Sequence, residues 1–276
     1  MLPVLPHAFA ELSADFHTLQ NWESFDNPFV VTENLDLKNE LGINNLCDQQ
    51  LLNIFNGTEK IKSLKPLSMV YSGHQFGQYV EQLGDGRGLL LGQMSSNSGL
   101  IDIHLKGAGK TPYSRFGDGR AVLRSVIREY LCGEAMHALS IPTSRALMIV
   151  GSDEMVIREK SESAAMLART AKTHIRFGSF EYFHYNNQPE NVKALADFCI
   201  DQYPTYFSSA TAAYEDFFRV IVERTASMIA QWQACGFNHG VMNTDNMSIL
   251  GETFDYGPYG FMEDYLPTYV CNHSDH

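Results

Sequence analysis

Phe237-Asn238-His239-Gly240-Val241-Met242-Asn243-Thr244-Asp245-Asn246, with Phe254-Asp255-Tyr256-Gly257 shortly after it, is the stretch whose reading decides the fold. It places two carboxylates and a carboxamide on neighbouring loops, an oxygen-rich set suited to Mg²⁺ and to taking a proton from a hydroxyl. Met247 to Leu250 and Thr253-Phe254 read as two short strands about a Gly251-Glu252 turn, and such a hairpin returns Asp255 close to Asn246. An Asp-Asn pair alone equally suits a turn or a helix cap. The second carboxylate at hairpin range favours the metal reading.

Protein kinases assemble a metal site in this way, from a catalytic-loop Asn and the Asp of an Asp-Phe-Gly motif. In kinases the base Asp precedes the metal Asn by several residues, whereas here Asp245 and Asn246 are adjacent. Such a site needs a lysine for nucleotide phosphates and a glutamate to hold it. Ile101-Asp102-Ile103-His104-Leu105-Lys106 alternates apolar and polar residues as a half-buried strand does, and ends in Lys106 just before Gly107-Ala108-Gly109. Arg120 to Leu139 then carries Val122, Leu123, Val126, Ile127, Tyr130, Leu131 and Ala135 as a helical stripe without proline, with Glu129 inside it. A buried lysine without an anionic partner tends to lose its proton, and Glu129 is placed to keep Lys106 charged. Either residue alone reads equally well as a solvated surface group. The order strand lysine, helix glutamate, Asp-Asn, Asp-Tyr-Gly carries the argument.

Ahead of the lysine strand, Gln82-Leu83-Gly84-Asp85-Gly86-Arg87-Gly88 forms a glycine-rich turn into Leu89-Leu90-Leu91-Gly92-Gln93-Met94. Glycine lets backbone amides approach a phosphate closely, although a Gly-x-Gly fragment also suits a tight hairpin. Arg87 adds a planar donor fork that a purely structural turn does not require.

Longer runs carry a family resemblance: Tyr71-Ser72-Gly73-His74-Gln75-Phe76-Gly77, Leu105-Lys106-Gly107-Ala108-Gly109-Lys110-Thr111-Pro112-Tyr113-Ser114-Arg115, Gly117-Asp118-Gly119-Arg120-Ala121-Val122-Leu123-Arg124-Ser125 and His174-Ile175-Arg176-Phe177-Gly178. On these the chain resembles the selenoprotein O family, kinase-like proteins that transfer AMP from ATP to protein hydroxyls. The resemblance implies that Gly84, Gly86 and Arg87 line the nucleotide, that Lys106 pairs with Glu129 and contacts phosphate, and that Asp118 and Gly119 touch the nucleotide. It further implies that Arg169 and Arg176 clamp phosphates, that Asp245 accepts the proton, and that Asn246 and Asp255 bind Mg²⁺, with Mn²⁺ as the alternative ion. No matched position is substituted. It also implies an ATP inverted relative to kinases, its γ-phosphate buried and its α-phosphorus presented to a Ser, Thr or Tyr hydroxyl. Burying a triphosphate tail demands several cations to offset lost hydration, and Arg87, Arg169, Arg176 and Lys106 could supply them. A seven-residue separation puts Arg169 and Arg176 on one face if their segment is helical, while His174 to Gly178 reads more as an exit loop. Two alternatives stand beside AMP transfer: a conventional protein kinase using the same residues, and an ATP-binding pseudoenzyme.

The expected fold is α+β and protein-kinase-like, with a sheet-containing N-lobe and a helical C-lobe. The expected division is an N-terminal extension over 1–65 with a helix at Gln49 to Phe55, an N-lobe over 66–158, and a partial C-lobe over 159–276 with helices at Asn191 to Cys199 and Thr211 to Cys235. Family members continue well beyond Asp255-Tyr256-Gly257, so the resemblance implies a truncated C-lobe. The chain's 276 residues and 44% hydrophobic content suit a globular protein. Absence of a membrane-length apolar run and of a leader-like N-terminus makes a cytoplasmic protein without a membrane partner the expectation. A monomer is expected, although nothing in the sequence decides the oligomeric state. A net charge of -12, from 32 acidic against 20 basic residues, argues against nucleic-acid binding. Five dispersed cysteines read as reduced thiols. The terminal run Cys271-Asn272-His273-Ser274-Asp275-His276 reads as a family segment, not a metal site. His239 is expected to stabilise the loop ahead of Asp245.

Overall fold

The computed structural model describes residues 2–61, 63–96, 99–207 and 213–273. In chain order it forms β1 (His17–Leu19), β2 (Pro28–Glu33), α1 (Leu35–Glu40), α2 (Asp48–Phe55), β3 (Leu67–Met69), β4 (Gly73–Gln75), β5 (Gln78–Val80), β6 (Gly88–Ser96), β7 (Gly99–Lys106) and β8 (Ala121–Val122). There follow α3 (Leu123–Ala138), β9 (Arg145–Ile157), β10 (Ser161–Ala171), α4 (Phe177–Tyr185), α5 (Pro189–Gln202), α6 (Ala213–Ala234), β11 (Phe237–Asn238) and β12 (Gly260–Phe261). The start of the helix expected from Thr211, and Ser274, Asp275 and His276 of the terminal run, lie outside the described residues.

Two compact units emerge: Met1–Val70, Leu83–Leu139 and Thr143–His174 form the first, and Tyr71–Gln82, Ser140–Pro142 and Ile175–His276 the second. They divide the chain differently from the three consecutive blocks expected. Residues of the expected extension are integral to the first unit, because open sheet edges recruit them: β1 pairs with β3, and β2 with β9. Conversely, the Tyr71–Gln82 segment belongs with the second unit although it precedes the lysine strand.

The first unit is an eight-stranded sheet in the order β1-β3-β6-β7-β10-β9-β2, with β8 against β10. All its pairings are antiparallel. Alternation along β7 sends Ile101, Ile103 and Leu105 into an apolar core shared with Leu51, Ile54 and Phe55 of α2. The same alternation turns Asp102, His104 and Lys106 to the opposite face, where α3 packs through Val126 against Leu167 and Ile149. That is why Lys106 and Glu129 share a side of the sheet. The second unit contributes α4, α5 and α6 and two two-stranded ribbons, β4-β5 and β11-β12. No helix among the described residues is long and apolar enough to cross a membrane.

A polar chain is buried within the first unit. Asp102 is fully enclosed and accepts from His7 Nε2 at 2.7 Å, from the His174 amide at 2.9 Å and from His174 Nδ1 at 3.2 Å. Burial opposes ionisation of Asp102, but His7 and His174 outweigh it and hold the carboxyl below its ordinary range. The His174 ring stacks on His104 with centroids 4.6 Å apart, and burial pushes its pKa down to about 3. A histidine kept neutral in the fold but protonated when unfolded costs stability as pH falls, here from about 6.5 toward 3. Urea unfolding of a His174→Asn variant should therefore show a pH slope shallower by about 1.4 kcal/mol per pH unit between roughly pH 6 and 4. An unchanged slope would contradict a neutral His174.

Candidate active site

The first unit assembles three of the expected residues. Lys106 Nζ donates to Glu129 Oε2 at 2.5 Å, and Arg169 Nη1 donates to Glu129 Oε1 at 2.7 Å. All three side chains are buried, at 8%, 3% and 2% exposure. Two cations thus converge on one carboxylate, one on each oxygen. Arg169 reaches the site from strand β10, opposite His104 in register, and does not belong to a helix with Arg176.

The glycine-rich turn adjoins the end of the lysine strand, since the Gly107 amide donates to Arg87 O at 2.6 Å. Its glycines have a packing reason: a Cβ at Gly84, whose φ is +65, would lie 2.4 Å from the Tyr113 ring, and one at Gly86 would lie 2.8 Å from Tyr113 O. Arg87 is exposed and has no ion-pair partner among the described residues. Asp118 is engaged within the protein: Arg158 grips both its oxygens at 2.7 and 2.8 Å, and the Arg120 amide donates to Oδ1 at 2.9 Å. Gly119 O accepts from the Gly109 amide, which ties this loop to the one after Lys106.

The second unit gathers Arg176, Asp245, Asn246 and Asp255. The two short strands expected about Gly251-Glu252 reduce to one isolated antiparallel bridge, Met247 to Thr253; the chain turns earlier, over Ile249-Leu250, with the Gly251 amide on Ser248 O at 3.1 Å and Gly251 at φ +69. Asp255 itself sits at φ +68, a left-handed conformation uncommon outside glycine and concentrated at functional sites. Arg176 is buried between the rings of Tyr71 and Phe254, 4.5 and 4.4 Å from their centroids. Its Nη1 donates to Asp245 O at 2.5 Å and lies 3.3 Å from Asp255 Oδ2, so one guanidinium braces both acidic loops.

His239 ties the same loops through hydrogen bonds. The Val241 amide donates to Nδ1 at 3.3 Å, which leaves the proton on Nε2 for Thr253 Oγ1 at 3.1 Å. Thr253 Oγ1 in turn donates to Asn246 O at 3.0 Å. Burial pushes the His239 pKa down to about 4, which keeps this relay neutral.

A third contact surface had no assigned role in the sequence reading. Three consecutive residues of the β4-β5 hairpin meet three consecutive residues of the acidic loop. The His74 amide donates to Thr244 Oγ1 at 2.7 Å, Gln75 Nε2 to Asp245 Oδ2 at 3.1 Å, and the Phe76 amide to Asn243 Oδ1 at 3.4 Å. Glu181 of α4 accepts from Thr244 Oγ1 at 2.6 Å and from His74 Nδ1 at 2.9 Å. Gly77 alone marks the turn between β4 and β5 in the sequence, and nothing local announces a partner 170 residues away.

Asp245 combines burial with an unmet acceptor. Its Oδ1 is buried and has no hydrogen-bond partner among the described residues. Burial raises its pKa above the ordinary carboxylate value, against the lowering effect of Arg176 and Gln75. A carboxylate with one open oxygen and a raised pKa is suited to receive a proton. Asn246 donates Nδ2 to Val241 O at 3.0 Å, which orients the amide and leaves Oδ1 as its available acceptor. With Asp255 this is a set of hard oxygen donors of the kind Mg²⁺ takes in nucleotide sites, alongside water and phosphate oxygens. No group of three His, Cys, Asp or Glu side chains able to hold a metal occurs among the described residues.

Comparison with known proteins shows what the chain is similar to. A family profile described as protein adenylyltransferase SelO matches residues 4–276. The protein nucleotidyltransferase YdiU of Vibrio parahaemolyticus serotype O3:K6 (strain RIMD 2210633) is 54% identical over 271 residues, which is 98% of this chain and 55% of that protein. The protein of the same description from Vibrio vulnificus (strain YJ016) is 54% identical over 270 residues, covering 97% and 55% of the two chains. That of Enterobacter sp. (strain 638) is 53% identical over 264 residues, covering 95% and 55%. The chain spans about half the length of the curated relatives it matches.

The His239 relay predicts a measurable cost. His239→Phe keeps a ring for the stack on Trp232 but removes both hydrogen bonds, and should lower unfolding free energy by about 1–3 kcal/mol. Denaturant unfolding reads this, and a loss under about 0.5 kcal/mol would mean that the relay does not hold the loops.

Proposed function

The chain belongs to the SelO family of protein adenylyltransferases, and from that premise we propose that it transfers AMP from ATP to hydroxyl side chains of proteins. The observation that carries the reading is Glu129 shared between two buried cations, Lys106 and Arg169. Placing phosphate oxygens from one end of a triphosphate against protein costs hydration, and several preorganised N–H donors offset it. An exposed γ-phosphate needs few fixed charges beyond a lysine and the metal. An added buried guanidinium suits a polyphosphate tail held inward, with the α-phosphorus left for attack. Arg87, exposed and without an ion-pair partner among the described residues, suits a further phosphate contact.

In this reading the acceptor Ser, Thr or Tyr hydroxyl gives its proton to Asp245 as its oxygen bonds the α-phosphorus. The bond from that phosphorus to the bridging oxygen breaks, and pyrophosphate leaves with the electron pair. Asp245 acts as much by orienting the hydroxyl as by taking the proton. Asn246 and Asp255 would hold Mg²⁺, or Mn²⁺ in its place, which when bound supplies positive charge to the phosphate oxygens. Lys106 and Arg169 keep donors aimed at phosphate, fixed by Glu129. Arg176 holds the backbone of Asp245 against the carboxylate of Asp255, so the proton acceptor and the ion ligand keep their spacing. Gly84, Gly86, Asp118 and Gly119 support the nucleotide side of the first unit, Asp118 through its grip on Arg158. The protein acts in the cytoplasm as a monomer on ATP and polypeptide acceptors.

Intact-mass measurement after incubation with ATP and Mg²⁺ tests this directly. An AMP-sized gain is expected; a phosphate-sized gain would indicate a kinase, and ATP binding without any gain a pseudoenzyme. Asp255→Ala and Lys106→Ala should each abolish the gain, with at least about a hundredfold loss of rate. Normal labelling by Asp255→Ala would remove the metal assignment.

A further inference from the structure

The run Tyr71 to Gly77 supplies none of the residues assigned to phosphate, proton or ion, yet it is fastened to the acidic loop at three successive residues. Only one of these contacts is made by a hairpin side chain to a carboxylate. Gln75 Nε2 donates to Asp245 Oδ2 at 3.1 Å, while Asp245 Oδ1 is buried without a partner. A carboxylate has two chemically equivalent oxygens, and rotation about its terminal torsion exchanges them at little cost. A single donor fixed to one oxygen removes that equivalence.

We infer that Gln75 is a positioning residue that assigns the two oxygens of Asp245, holding Oδ2 so that Oδ1 alone faces the acceptor hydroxyl. The inference deepens the proposed AMP transfer and rests on Asp245 being its proton acceptor. The hairpin is built to hold Gln75 still. The His74 and Phe76 amides on either side of it are both bound to the loop that carries Asp245. His74 is bound a second time through Glu181, which also holds Thr244. The turn is tight, with Phe76 at φ +52 and Gly77 at φ +77, and β4 pairs with β5 from Gly73↔Val80 to Gln75↔Gln78. Tyr71, at the start of the same run, stacks on Arg176, whose guanidinium holds Asp245 O. One short segment therefore controls the backbone of Asp245 through Arg176 and its carboxylate through Gln75. Glutamine suits the task because its amide is a neutral donor.

The test is a double-mutant cycle on the whole chain. AMP transfer at saturating ATP is followed with ATP labelled at the α-phosphate, using the chain's own hydroxyl side chains as the acceptor probe. Four proteins are compared: unsubstituted, Gln75→Leu, Asp245→Asn and the double variant. Gln75→Leu should lower the transfer rate constant about ten- to a hundredfold, with the KM for ATP and the thermal midpoint unchanged. Placed on Asp245→Asn, it should cost no further rate, because it acts only through the lost carboxylate. Gln75→Glu, which keeps the shape but replaces the donor with an acceptor, should fall at least as far as Gln75→Leu. Additive losses in the double variant, or an unchanged rate in Gln75→Leu, would overturn the inference. Full transfer by Asp245→Asn is a separate failure, that of the reading on which the inference rests, as is absence of transfer by the unsubstituted chain.

Discussion

A carboxylate taken out of water must be met by donors, and both units are organised around that requirement. In the first, Glu129 takes Lys106 on one oxygen and Arg169 on the other, while Asp102 takes His7 and His174. In the second, Asp245 takes Gln75 on Oδ2, and Asp255 lies against Arg176. The exception is informative. Asp245 Oδ1 is the buried carboxylate oxygen without a partner among the described residues, and it sits on the side chain best suited to receive a proton.

The requirement also explains the architecture around the acidic loops. Short loops carrying two carboxylates and an amide would not keep one shape by themselves, because turn residues offer the backbone many alternatives. Here three separate braces act on them. Arg176, held between Tyr71 and Phe254, joins Asp245 to Asp255. His239 and Thr253 join Val241 to Asn246. The β4-β5 hairpin takes Asn243, Thr244 and Asp245 one by one. Left-handed backbone at Asp255 and Phe76 is sustained by this surrounding structure.

Much of this was legible in the chain itself, because periodicity encodes faces. Alternation from Ile101 to Lys106 predicts that lysine shares a side with Asp102 and His104, and the apolar stripe of the Arg120 to Leu139 segment brings Glu129 within reach. The chain reversal between Met247 and Thr253 was legible too, although only a single bridge forms there. Pairing between distant strands carries no such local signature. Residues before Lys65 look like an extension because β1 and β2 find their partners, β3 and β9, only in three dimensions. The same holds for Gln75, whose partner is fixed by tertiary contact and not by any spacing. Arg169 could be assigned to phosphate only by resemblance, since its place opposite His104 depends on the register of β10 against β7. Asp118 shows the opposite case: a residue assigned to nucleotide by resemblance has both oxygens gripped by Arg158.

AMP transfer requires that the α-phosphorus, not the γ-phosphorus, is the atom attacked. Parallel incubations with ATP labelled at the α- or the γ-phosphate, followed by separation of protein from small products, measure this most directly. Label from the α-position should remain on protein while label from the γ-position is released in pyrophosphate. Retention of γ-label on protein, with α-label released in ADP, would contradict it.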